Sequence, residues 1–115
     1  MVDDVRAALE GADVARFGAL LSPDVHWGAP DDPTPPCRNR QQALRWYRKG
    51  RAAGRRAKVI EISVHGDALL VGLLVDLSGV EGEVERWQIL TVGPQGIEDI
   101  RGFSDRPDAL ARLDY

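Results

Sequence analysis

The chain has 115 residues, enough for one domain with one core and one modest cavity. Its hydrophobic content of 43%, charged content of 29% and net charge of −3 are ordinary for a water-facing globule. They argue against a membrane-spanning chain, since the longest apolar run, Ala68 to Val75, is too short to cross a bilayer. The acidic start Met1-Val2-Asp3-Asp4 leads into a helix pattern and does not read as a signal peptide. Cys37 is the only cysteine, so no intramolecular disulfide forms and a cytoplasmic location is expected.

Val2, Val5, Ala8 and Leu9 recur at helical spacing and predict a first helix ending near Gly11. Asp13 is suited to cap a second, from Val14 to Leu21, which Ser22-Pro23-Asp24 stops. Val25 to Ala29 reads as a short strand, and the proline-rich Asp31 to Pro36 as an ordered loop. Asn39 and Gln42 have capping-box spacing, opening a third helix that runs to about Ala53 and stops at Gly54.

The period then changes to two. Ala57 to Val64 is a strand turned by His65-Gly66-Asp67. Ala68 to Leu77 is apolar on both faces and so belongs at the centre of a sheet. After a turn at Ser78 to Gly82, Val84 to Asp105 forms a hairpin about Gly93-Pro94-Gln95-Gly96, and Ser104-Asp105-Arg106-Pro107 starts a short helix. Short loops pair the last four strands as an antiparallel meander, giving an α+β architecture.

Nine basic residues from Arg38 to Lys58 have no acid between them, and the other six stand against all 18 acidic residues, a net of −12. That run is either a solvated helix face or an anion-binding face. With a pI near 5.3 and no stacking platform, no nucleic-acid partner is expected, and no membrane partner either. His26 and Cys37 are the candidate base and thiol. Arg38, Arg40 and a helix N-terminus near Cys37 would lower its pKa. Metal-ligand spacings and phosphate-binding glycine loops are absent from the sequence, and no cofactor is expected.

Leu20 to Trp27, Arg40 to Tyr47 and Gly96 to Asp105, in the order α-α-β-α-β-β-β-β, resemble the SnoaL-like bacterial proteins of the nuclear-transport-factor-2-like superfamily. The resemblance implies a single SnoaL-like domain over 1–115. It implies a cone-shaped, curved antiparallel sheet wrapped around three N-terminal helices, and a homodimer through the outer sheet face. It also implies a cofactor-free site. The positions that carry acids in related enzymes match Ala29, Trp87 and Gly102 here, none of which exchanges a proton.

Trp27, Tyr47, Trp87, Ile89, Gly102 and Ser104 are therefore expected to line a pocket, with Asp99 and Arg101 on the opposite face as a dimer contact. Three functions stay open. One is a pocket protein binding a small, largely apolar molecule. Another is an isomerase, polyketide cyclase or epoxide-hydrolase-type enzyme using His26, Tyr47 or Asp99. The third is a homodimerisation module.

Overall fold

Alternation of branched apolar and polar residues builds four of the strands, and helical spacing builds the elements that cover them. The structure, a computed structural model, describes residues 2–11, 14–52, 56–76 and 83–113. In chain order these are α1 (Val2–Gly11), α2 (Val14–Leu20), β1 (Leu21–Gly28), α3 (Arg40–Ala52), β2 (Arg56–His65), β3 (Ala68–Asp76), β4 (Glu83–Gly93), β5 (Gly96–Phe103) and α4 (Arg106–Leu113). The expected cap at Asp13, the stop at Gly54 and the turn at Ser78 to Gly82 lie outside the described residues.

The five strands form one open sheet in the order β1-β5-β4-β3-β2. From β2 to β5 it is the antiparallel meander read from the sequence. The sheet as a whole is mixed, because β1 lies parallel to β5. A parallel neighbour needs a long crossover, and α3 with β2 to β4 supplies it. β1 also starts earlier than expected, at Leu21, and so contains Pro23. Proline is tolerated there because β1 is an edge strand.

Helices α1 to α3 cover one face of the sheet, called the inner face below. Val5, Ala8, Leu9, Phe17, Leu21, Val25 and Ala43 pack there against Val59, Leu69, Val71, Leu73, Leu90, Ile97 and Ile100. Each large apolar side chain so buried contributes about 1.5–3 kcal/mol. Helix α4 covers the outer face, where Ala109, Leu110 and Leu113 meet Ala68, Leu70, Trp87, Ile89 and Phe103. Apolar cover on both faces explains why β3 reads as apolar throughout.

The caps follow the sequence closely. The Asn39 side chain accepts from the Gln42 N–H at 2.9 Å, and the Gln42 side chain reaches back to the Arg38 N–H at 2.7 Å. The Asp105 carboxylate accepts from the Asp108 N–H at 2.9 Å and starts α4.

Candidate functional site

The site depends on which residues of β4 face inward, and one residue of β5 decides that. A regular hairpin pairing Val92 with Ile97 would set Trp87 opposite Gly102. In the structure Val92 pairs with Ile97 but Thr91 pairs with Asp99, so Glu98 is an extra residue in β5. This bulge moves the register by one. Trp87 then stands opposite Phe103, and Gln88 opposite Gly102.

On the inner face, Gly102 and Gln88 lie in one row, two residues beyond Ile100 and its neighbour Trp27 on β1. A Cβ added at Gly102 would meet no atom within 4 Å. This is open space, two residues along β5 from the buried Ile100 of the apolar inner wall. Trp27 and Gln88 are half-buried. Among the described residues, neither the Trp27 indole N–H nor the Gln88 amide has a hydrogen-bond partner. The backbone of Trp27 is fixed by a two-way bridge to Cys37, with N···O distances of 2.9 and 3.3 Å. Its ring lies edge-on to Phe17, centroids 5.9 Å apart, and Phe17 stacks on Tyr47 at 4.6 Å. The Tyr47 hydroxyl donates to the Ala8 carbonyl at 3.2 Å, tying α3 to α1. Ser104 follows β5 at an exposed position, opposite the end of the row.

The outer face differs from the expectation most. Trp87 and Ile89 belong to it, buried beneath α4. Trp87 lies over Gly72, where a Cβ would come within 2.6 Å of the ring. Its indole N–H donates to Glu85 at 2.7 Å. Arg106 stands 5.8 Å from the ring centroid and pairs with Glu61 at 3.1 Å. The six expected lining residues are thus divided by the sheet, and Trp87 and Tyr47 do not share a wall. The bulge is the reason.

Asp99 and Arg101 do face outward, beside Phe103. Arg101 pairs with Asp99 at 3.0 Å and donates to the carbonyls of Ala29 and Asp32 at 2.9 and 2.8 Å. Arg112 pairs with Asp31 and donates to Pro30. These two arginines hold the proline-rich loop against the sheet. Beneath the loop runs a groove of about 620 Å³ lined by Asp67, Ile89, Thr91 and Asp99 among others. His26 is exposed on this side, opposite Asp99 in the β1–β5 ladder. His65 bonds Ser63 at 2.9 Å.

Cys37 is buried, and its Sγ approaches the Gln42 carbonyl at 3.6 Å. Burial pushes its thiol pKa up. This reverses the lowering expected from Arg38, Arg40 and the α3 N-terminus, because desolvation of the buried thiolate dominates. Among the described residues no cluster of His, Cys, Asp or Glu stands ready for a metal.

A model of the SnoaL-like domain matches residues 2–96. The chain therefore belongs to the SnoaL-like family, within the NTF2-like superfamily. Three solved structures illustrate the shared fold. A proposed polyketide cyclase of Sinorhizobium meliloti is 21% identical, with a TM-score of 0.72 over 89% of this chain and 92% of that one. A proposed ketosteroid isomerase of Kribbella flavida is 18% identical, with 0.76 over 91% and 75%. An epoxide hydrolase of M. tuberculosis, resembling limonene epoxide hydrolases, is 20% identical, with 0.67 over 97% and 85%. No protein of curated function matched the sequence. At these identities the likeness concerns the fold.

Gln88 escaped the sequence reading. The signal that would have found it is the bulge, and Glu98 by residue type gives no sign of one.

Proposed function

We propose that this SnoaL-like protein binds a small, largely apolar molecule carrying one polar group, seated on the inner face at Gly102. One observation carries the reading: open space on an apolar wall, flanked by two half-buried polar groups without partners. Neither group is sealed from solvent and neither has a protein partner among the described residues, so both are open to a ligand's oxygen. Trp27 would donate, Gln88 would donate or accept, and Phe17 and Tyr47 would back the wall.

Binding without turnover fits the groups available. Ala29 and Gly102 bear no acid, Asp99 is paired with Arg101 on the other face, and the Tyr47 hydroxyl is spent on Ala8. The test is titration with an apolar fluorescent dye and with carbonyl-bearing hydrophobic compounds, read by Trp27 emission. Binding that is abolished by Gly102→Phe and weakened by Gln88→Leu is expected. Unchanged affinity in both variants would refute the site. Consumption of a bound epoxide or ketone by the wild-type chain would replace binding with catalysis.

A homodimer through the outer face stays part of the proposal. With α4 over Trp87 and Leu70, the contact would fall on the rim formed by Thr91, Asp99 and Arg101. A monomer in light scattering at micromolar concentration counts against it.

A further inference from the structure

Helix α3 carries a cluster of unpaired positive charge among the described residues. Arg45, Arg48 and Lys49 recur at helical spacing on its outward side and are all exposed. None of the three has an ion-pair or hydrogen-bond partner among the described residues. Four other arginines are engaged: Arg40 donates to the Leu21 carbonyl at 3.0 Å, and Arg101, Arg106 and Arg112 are paired with carboxylates. No acid lies between Arg38 and Lys58 to neutralise the face. Trp46 stands at its edge, 50% exposed, although an indole of that size is ordinarily covered.

We propose that this face of α3 docks the protein on an anionic membrane surface. Indole rings favour the headgroup layer, where the ring is shielded and the N–H stays wet. Each cation brought to an anionic leaflet is worth about fivefold in partition. The rest of the chain nets −12 outside the basic run, so an anionic surface is drawn to this segment and repelled by most of the remainder, which favours α3 toward the lipid. Charge complementarity therefore selects an anionic partner, and shape selects among such partners. The face is one convex helix with one aromatic, lacking the row of rings on which bases would stack. A planar bilayer meets such a surface without needing a cleft.

Surface docking requires no spanning segment. It agrees with the finding that no described helix is long and apolar enough to cross a membrane. It revises the sequence expectation of no membrane partner, which rested on the lack of such a segment. The docking does not depend on the pocket reading, because α3 turns Trp46 outward and Tyr47 inward.

The experiment is flotation of the full chain with vesicles of phosphatidylcholine alone and of phosphatidylcholine mixed with phosphatidylserine, without added ligand. Wild type should float with the mixed vesicles at low salt, remain behind with the neutral ones, and be released by high salt. The triple variant Arg45→Gln, Arg48→Gln, Lys49→Gln should partition roughly a hundredfold more weakly. Trp46→Phe should remove a blue shift of emission seen on binding. All four positions are exposed, and circular dichroism of each variant is the check that it folds. Failure of wild type to float, or equal flotation of the triple variant, overturns the proposal. So does displacement by polyglutamate or RNA with no change in Trp46 emission, which would assign the face to a soluble polyanion.

Discussion

The two faces of the sheet are both apolar and both roofed by helices, yet they are finished differently. On the outer face every demand of the large side chain is met. Trp87 rests on Gly72, donates to Glu85, lies under Arg106 and is sealed by α4. On the inner face the wall stops short at Gly102, and Trp27 and Gln88 keep unused hydrogen-bonding capacity. A buried polar group must find a partner inside the protein, as the Trp87 indole does, whereas groups that reach solvent, as those of Trp27 and Gln88 do, can be left to water or a ligand. The difference is the basis for the proposed ligand seat on the inner face.

Substitutions can break that comparison, and the largest effect belongs to the sealed side. Trp87→Ala should cost about 3–5 kcal/mol in denaturant unfolding, from lost burial and the cavity left under α4. A loss below about 1 kcal/mol would mean that α4 does not seal the outer face. Gly72→Ala should cost about 1–3 kcal/mol, since the new methyl collides with the Trp87 ring.

Cys37 sharpens the comparison on the inner side through pH. Its folded pKa is raised above the ordinary 9.0, so the folded chain holds the thiol proton more tightly than the unfolded chain. Stability should be fully retained below about pH 9 and decline as pH rises through the folded pKa. Melting temperatures across that range should lose this decline in Cys37→Ala. A thiol that alkylates rapidly at neutral pH would contradict the assignment. The smallest effect is expected at Gly102→Ala, within about 0.5 kcal/mol of wild type, because the methyl enters open space and the backbone there is not left-handed. If Gly102→Ala destabilises as much as Gly72→Ala, the inner space is not there.

Much of the fold was legible from local chemistry. The Asn39 and Gln42 cap, the period-two strands and the doubly apolar β3 each follow from neighbours in sequence. The parallel seat of β1 was not, since no short-range pattern says which edge a short strand with Pro23 will join. Of the expected lining residues, Gly102 and Trp27 share the inner face, while Trp87 and Ile89 lie on the outer one. Alternation propagates from the hairpin turn, and a single extra residue inverts everything on the far strand. Glu98 folds its carboxylate over Gly93, where a Cβ would collide with it, and nothing in either residue type announces that arrangement.

The parallel seat of β1 also sets an order of events. Its ladder joins Leu21 to Ile97 and Trp27 to Ile100, contacts separated by most of the chain's length. The hairpins β2–β3, β3–β4 and β4–β5 close short loops and can form from local encounters. Apart from the local bridge of Trp27 to Cys37, β1 has no strand to pair with until β5 is in place. The element that brings Trp27 to the candidate site is therefore expected among the last to dock during refolding, so that the wall around Gly102 is completed on a sheet that already stands.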